Sequence, residues 1–189
     1  MCSKSRIKEL ADKYSPLIRW MIESNQIYLD ISGPIRWGFN YNDDVRITAT
    51  TDRKTNVILV NLAFVDEQYC NKELFVIEYF LLHEMRHIYQ HIQIAKYKEG
   101  KNDVGSQYIE KWIKENENYE QSVDKDGNEN SNYPKQDCEL DAYAFAYTVM
   151  HYKYHGIYDS FLYVPEIYKN ELREEFENAL EDFAKHLKI

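Results

Sequence analysis

The stretch from Tyr79 to His91, which reads YFLLHEMRHIYQH, places two close histidines, a glutamate and an arginine within an apolar helix pattern. Just upstream, positions 74–82 are apolar except for Glu78, which leaves almost no polar face for two helical turns. A helix that is apolar nearly all round is buried in a protein core. The sequence therefore predicts a buried helix over about 71–97 that carries ionisable side chains in its interior.

The spacing of these side chains indicates a metal site. His83 and His87 lie about 40° apart on an α-helix, so both imidazoles can reach one common point beyond the helix surface. Glu84 and Arg86 flank that pair, each about 80° from its bisector. In the HExxH pattern, two neutral imidazoles hold Zn²⁺ and the glutamate takes a proton from the activated water. The pattern therefore predicts His83 and His87 as zinc ligands and Glu84 as the general base.

An alternative interpretation needs no metal. The same four side chains could form a satisfied polar network in the core. Burial without compensation would cost several kcal/mol for such a set, and a bound metal offsets that cost, which favours the metal site. Arg86 is then expected to serve structure, with a buried carboxylate such as Asp141 or Glu78 as its partner.

A third zinc ligand has to come from another element. His91 lies about 12 Å along the helix from His83 and is expected to be more exposed. The best candidate is Glu139 in the helical stretch DCELDAYAFA, whose alanines permit close approach of two helices. As an alternative, Glu139 could be an ordinary acidic residue at a helix start, where the dipole favours a carboxylate.

HEMRH followed by a helix that begins ExxA resembles the gluzincin group of zinc metallopeptidases. The closest resemblance is to small bacterial and phage-associated forms, including regulatory proteases of the ImmA/IrrE type, and it covers mainly residues 57–150. In such proteins the two motif histidines and the first glutamate of the second helix bind zinc, and the motif glutamate is the base. The resemblance implies a zincin-like fold with one Zn²⁺ per chain on His83, His87 and Glu139, and Glu84 as the base.

The pattern departs from better-known members of that group. Thermolysin-like enzymes have an aspartate four positions after the ligand glutamate, where this chain has Tyr143. Asp141 is acidic but lies about 200° round the helix from Glu139. Four residues remain candidates for stabilising the transition state or supporting the ligands: Tyr143, His151, Arg86 and Asp141.

The remaining periodicities predict a single α+β domain over residues 1–189, mostly helical, with a small antiparallel sheet packed on the active-site helix. A helix pair is expected over about 3–26 and the sheet over about 35–65, with a strand at 57–65 directly before the active-site helix. Three further segments are expected toward the C-terminus. They are a mobile polar loop over about 119–136, the third-ligand helix over about 137–154 and a C-terminal helix over about 165–188.

Composition excludes several functional classes. The net charge of −9 and the pI near 5.2 argue against nucleic acid as a partner. No segment has about 18 unbroken apolar residues and the start has no signal-type apolar run, so we expect a soluble protein without membrane contact. Cys2, Cys70 and Cys138 show no CxxC or CxxH spacing, which favours a reducing cytoplasm over a disulfide framework.

These patterns predict a cytoplasmic zinc peptidase that hydrolyses a peptide or protein substrate by a metal-activated water. If the 57–65 strand lies at a sheet edge, an extended peptide could pair with it. The alternative is a regulatory or binding module of the same fold that holds a protein partner without turnover. A toxin or effector directed at one host protein is a third interpretation, against which the missing export segment argues. Substrate side chains and oligomeric state are left open by the sequence.

Overall fold

The computed structural model describes residues 2–101, 104–120, 122, 128, 130–156 and 163–186. Most of them are helical, and the strands found among them form one small three-stranded sheet. The α+β class expected from the sequence is therefore confirmed. The chain divides into two compact units, residues 1–88 and 89–189. The single metallopeptidase-like domain stays a prediction.

The first unit opens with helix α1, which spans Lys4–Asn25. The Ser3 side chain accepts a hydrogen bond from the Arg6 amide and caps its start. The expected helix pair is wrong, because the helix continues through Pro16. Proline removes one backbone hydrogen bond, but the buried stripe keeps one helical period on both sides of it, with Leu10, Tyr14, Ile18, Met21 and Ile22 in the core.

The sheet is mixed, not purely antiparallel. Strands β2 (Ala49–Asp52) and β3 (Val57–Asn61) form an antiparallel hairpin, as expected. Strand β1 (Arg36–Asn40) pairs with the other side of β3 in parallel, which gives the order β1-β3-β2. A parallel partner requires a crossing connection, and residues 41–48 provide it. Strand β3 is therefore central, so the condition for the expected peptide pairing, that the 57–65 strand lies at a sheet edge, is not met.

The buried side chain of Asn61 holds this crossing segment in place. Its Oδ1 accepts hydrogen bonds from the amides of Asn42 and Ala63, at 3.0 and 3.1 Å. Its Nδ2 donates to the carbonyls of Asp44 and Ile47, at 3.1 and 2.8 Å. All four hydrogen-bonding positions of the amide are thus used, and the segment is tied to the end of β3.

Asn61 also ends the strand earlier than expected, because it caps a helix that the sequence interpretation missed. Helix α2 spans Leu62–Asn71, so the strand expected over 57–65 stops four residues short. Its first turns are buried through Leu62, Phe64 and Val65, which explains why the apolar run looked like a strand. Lys72 follows in the left-handed conformation, φ 64°, and terminates α2.

Helix α3 spans Leu74–Lys98, where a buried helix over 71–97 is expected. It runs across the border between the two units at residue 88. In the first unit its buried side chains include Val76, Ile77, Tyr79, Leu81, Leu82, Met85 and Ile88. The polar residues of the HExxH stretch therefore lie within an apolar environment.

The second unit contains the end of α3, helix α4 (Ser106–Glu117) and helix α5 (Asp137–Lys153). One apolar cluster of this unit consists of Ile94, Ile109, Trp112 and Cys138. A second cluster, with Ala144, Val164, Tyr168 and Phe176 at its centre, packs α5 against the C-terminal segment.

The single C-terminal helix expected over 165–188 is wrong. The structure has a short helix α6 (Glu166–Lys169) and then α7 (Arg173–His186), while residues 187 and 188 lie outside the described part. The rings of Tyr168 and Phe176 stack at 5.4 Å with an interplanar angle of 2°. This stacking requires the chain to turn between the two helices, and Asn170, with φ −122° and ψ −83°, leaves the helical conformation there.

The polar segment 119–136 is described in part, since residues 121, 123–127 and 129 lie outside the described residues. Its two ends are joined by hydrogen bonds. The Glu120 amide donates to Gln136 Oε1 at 3.0 Å, and Gln136 Nε2 donates to the Glu120 carbonyl at 3.1 Å. Asn130 Nδ2 donates to the Glu120 carboxylate at 2.9 Å. The expected mobility of the whole segment stays a prediction.

Candidate metal centre

The two histidines of the HExxH stretch face each other inside the first unit. His83 and His87 are only 2% and 8% exposed. Their Nε2 atoms lie 3.1 Å apart, with the rings almost perpendicular at 87°. Two nitrogen ligands bound tetrahedrally at about 2.0–2.1 Å from one zinc ion lie about 3.3 Å from each other. The separation of the pair therefore fits two ligands of a single zinc ion.

Glu139 supplies the third donor. It lies in the first turn of α5 and its side chain is completely buried, at 0% exposure. One ligand atom from each of His83, His87 and Glu139 lies within 4.8 Å of the other two. Two imidazoles and a carboxylate are a donor set of catalytic zinc sites, which keep the fourth position for water or substrate. The three side chains can therefore hold a metal ion, and their donor atoms suit zinc.

Glu84 lies beside the histidine pair and next to the sheet. Its carbonyl accepts a hydrogen bond from Thr51 Oγ1 at 3.0 Å, which places the edge strand β2 alongside the HExxH turn. Its side chain is 7% exposed. Within the described part of the chain, nothing donates a hydrogen bond to its carboxylate, so that carboxylate is available to a water or a substrate.

Tyrosines surround the Glu139 carboxylate in the second unit. The Tyr119 hydroxyl donates to Glu139 Oε1 at 2.7 Å. Burial raises the pKa of the Tyr133 hydroxyl well above its ordinary value, and the neighbouring Glu139 carboxylate raises it further. Tyr133 is therefore protonated and able to donate a hydrogen bond. The sequence interpretation missed Tyr119 and Tyr133, because both lie at the borders of a polar segment that has no periodicity.

Gln90 ties the end of α3 to the first turn of α5 within the second unit. Its buried Nε2 donates to the Cys138 carbonyl at 2.9 Å and to Asp141 Oδ2 at 2.7 Å. Asp141, a candidate for supporting the ligands, therefore contacts α3 through this glutamine. Gln90 lies about 20° from His83 around the helix, so its place on the buried face was readable from the sequence.

Helix α5 receives its cap from Glu115 of α4. Gln136 precedes the helix without capping it through its side chain. The Glu115 carboxylate instead accepts the amides of Asp137 and Cys138, at 2.6 and 2.8 Å. Burial raises the pKa of Glu115, while these amide bonds oppose the rise. The first turn of α5, which carries Glu139, is thus fixed by a neighbouring helix and not by its own sequence.

Arg86 is buried in the first unit, as expected for a structural role, and it is engaged by neighbouring groups. The two carboxylates expected as its partners have hydrogen bonds of their own. Glu78 accepts from Asn25 Nδ2 at 2.6 Å, and Asp141 accepts from Gln90. Pairing of Arg86 with either carboxylate stays a prediction.

The structure places the other two candidates at different distances from the ligands. Tyr143 lies one turn after Glu139 on α5 and its ring is 5.6 Å from that of Tyr168. His151 lies about three turns after Glu139 on the same helix, about 18 Å along its axis. It is exposed and stacks on Tyr147 at 5.8 Å. Tyr143 is therefore near the ligand carboxylate, whereas His151 is not.

No protein-family model, curated protein or solved structure matches this chain. The resemblance to gluzincins thus stays a prediction from the HExxH stretch and the ExxA helix. Among the described residues, every helix is too short or too polar to cross a bilayer.

Proposed function

We propose that this protein is a zinc-dependent peptidase of the gluzincin type, with one Zn²⁺ held by His83, His87 and Glu139. The observation that supports the proposal is the convergence of three buried ligand atoms within 4.8 Å. Two of them come from an HExxH turn, in which the glutamate lies next to the ligands. A polar network that only stabilises the fold would not require two imidazoles and a carboxylate at one point, with the Glu84 carboxylate next to them.

The chemistry follows from the residues around that group. Zinc, when bound, polarises a carbonyl and lowers the pKa of a water toward about 7. Glu84 accepts the proton of the attacking water and later delivers it to the leaving nitrogen, so that water is added across the amide bond. Glu84 is buried beside the apolar face of α3, where bulk water is excluded. Its electrostatic interactions with the attacking water and the leaving nitrogen are therefore stronger than they would be in water.

We further propose that the substrate is an extended peptide or protein segment that pairs with strand β2. This strand lies at the edge of the sheet, opposite β1. Thr51 of β2 is bonded to the Glu84 carbonyl at 3.0 Å, so the open edge runs alongside the proposed general base. Backbone pairing at a sheet edge would present the scissile carbonyl without requiring a particular side chain. β2 thus takes the role that the sequence interpretation gave to the 57–65 strand.

The proposed compartment is the cytoplasm. Among the described residues the three cysteines form no disulfide, and Cys70 is exposed whereas Cys138 is buried. Exposed unpaired thiols are typical of proteins from reducing compartments.

Metal analysis combined with a peptide-cleavage assay tests the proposal. Wild type and Glu84→Gln, purified without chelator, should both contain about one zinc per chain by emission spectroscopy. A mixture of unstructured peptides, followed by mass spectrometry, should be cleaved by the wild type. Glu84→Gln should lower the rate by about 10²–10⁴-fold, the usual contribution of a general base. Glu67→Gln, at an exposed site on α2, is the matched control and should cleave normally.

The outcomes separate the competing interpretations. A protein that takes up no zinc on reconstitution is not a zinc peptidase, and its histidines belong to a structural network. A protein that binds one zinc but leaves every peptide intact is the binding or regulatory module. Cleavage that is equally fast in Glu84→Gln would remove Glu84 from the mechanism.

A further inference from the structure

We propose that Tyr119 is the positioning residue for the third zinc ligand, and this inference rests on the function proposed above. Its hydroxyl donates a 2.7 Å hydrogen bond to Oε1 of Glu139, whose side chain is 0% exposed. Tyr119 does not touch the reacting atoms. It acts through the carboxylate, by setting the orientation in which Glu139 meets the metal.

A carboxylate needs such a partner because it has two equivalent oxygens and can rotate. Groups hydrogen-bonded to metal ligands fix ligand orientation and raise metal affinity. Because Oε1 accepts the hydrogen bond of the Tyr119 hydroxyl, Oε2 would be the oxygen that a bound metal uses. Oε2 of Glu139 is itself fully buried, so the carboxylate is preorganised without competition from bulk water.

Tyr119 is held firmly enough for this role. It packs against the apolar cluster of Ile94, Ile109, Trp112 and Cys138. Its ring meets the Tyr133 ring edge-on at 6.0 Å. The following residue, Glu120, exchanges two hydrogen bonds with Gln136, which directly precedes α5. The Glu120–Gln136 hydrogen bonds therefore fix the residue after Tyr119 to the residue before α5. They hold Tyr119 close to the helix that carries Glu139.

The second unit contains a matched control for the same chemistry. The Tyr97 hydroxyl donates to Glu110 Oε1 at 3.0 Å, and Tyr97 packs against the same apolar cluster as Tyr119. Both tyrosines are partly buried. The difference is that Glu110 lies on the exposed face of α4 and Glu139 is the proposed ligand. Loss of either hydroxyl removes one tyrosine–glutamate hydrogen bond, and only one of these bonds involves a ligand.

Zinc affinity, measured by competition with a chromophoric chelator, is the readout. We expect Tyr119→Phe to raise the zinc dissociation constant by about 10–100-fold, the usual effect of removing a partner of a metal ligand. Tyr97→Phe should leave that constant unchanged. Thermal unfolding of both metal-free variants checks that each is folded before zinc is added.

A double-mutant cycle shows whether Tyr119 acts through Glu139. In a Glu139→Ala background the ligand is already absent, so adding Tyr119→Phe should not weaken zinc binding further. A structural role unrelated to the ligand would reduce affinity by the same factor in both backgrounds. Equal effects in both backgrounds would therefore overturn the inference.

Failure of the inference is distinguishable from failure of the proposed function. If wild type binds no zinc, both the proposed function and the inference about Tyr119 are wrong. If wild type binds zinc and Tyr119→Phe binds it as tightly as Tyr97→Phe does, the inference alone is wrong. Cleavage activity enters neither comparison, so a slow or unidentified substrate does not affect the result.

Discussion

The Nε2 atoms of His83 and His87 face each other at 3.1 Å from positions four residues apart on one buried helix. Each neutral imidazole has one donor and one acceptor nitrogen. A single metal ion beside the helix can bind both nitrogens at once and can also engage Glu139, whose ligand atom lies within 4.8 Å of the pair. This relationship makes metal binding the first property to measure.

Zinc should stabilise the folded protein, because the unfolded chain does not form the three-ligand site. At a free zinc concentration 100 times the dissociation constant, the free energy of unfolding should rise by about 2.7 kcal/mol. Thermal unfolding with zinc and with chelator measures the change. His83→Ala should abolish it and Glu139→Ala should weaken it strongly, whereas Glu84→Gln should retain it. An equal zinc effect in all four proteins would show that the ion binds elsewhere.

Arg86→Met should destabilise the protein whether or not zinc is bound. The guanidinium is buried and engaged by neighbouring groups, and its removal leaves those groups without their partner. We expect a loss of about 3 kcal/mol in the free energy of unfolding, measured by urea denaturation of both forms. Arg173→Met removes an exposed pair with Glu177 and should leave the free energy of unfolding nearly unchanged. Unchanged stability with abolished cleavage would instead place Arg86 at the substrate.

Asn61→Asp tests the residue that holds the crossing segment between β1 and β2. Aspartate keeps the two accepted hydrogen bonds but cannot donate to the carbonyls of Asp44 and Ile47. At neutral pH we expect the free energy of unfolding to fall by about 1–3 kcal/mol, the cost of a buried group that loses its partner, since the Ile47 carbonyl loses this donor and the Asp44 carbonyl keeps the Ile47 amide. Urea denaturation is the measurement. Asn42→Asp, at an exposed position of the same segment, should change little.

The Tyr14 hydroxyl should make stability depend on alkaline pH. Burial, with the Asp66 carboxylate to which the hydroxyl donates, raises the pKa of Tyr14 to about 12. The folded state thus favours the neutral phenol more than the unfolded state does. Its contribution is complete below pH 10 and is lost as the pH rises toward 12. The stability difference between wild type and Tyr14→Phe, from urea denaturation, should shrink over that range. A constant difference would contradict the assignment.

The helical periodicity of the sequence was sufficient to predict part of this structure. The buried helix that became α3, the convergence of His83 and His87 and the position of Glu84 all follow from 3.6 residues per turn. The helix carrying Glu139 was predicted over 137–154 and spans Asp137–Lys153. These features depend on neighbours a few residues apart, so the sequence alone determined them.

Helical periodicity does not predict which residues pair when they lie far apart in the sequence. The run from Val57 to Val65 is apolar except for Asn61, whose side chain caps helix α2 and so divides the run into a strand and a helix. The same amide ties the crossing segment to the end of β3, which β1 pairs with in parallel. A pattern of apolar residues does not reveal where a buried side chain will find its four hydrogen-bond partners.

The residues that hold Glu139 in place were likewise determined by the tertiary structure. Glu115 caps its helix from α4, and Tyr119 reaches its carboxylate from the edge of a polar segment. Neither residue shows a spacing that links it to Glu139. The sequence by itself determined that His83 and His87 share one face of a helix, because helix geometry sets their spacing. Only the folded chain determined which residues hold Glu139 and its helix in place, because those contacts join residues about 20 positions apart in the sequence.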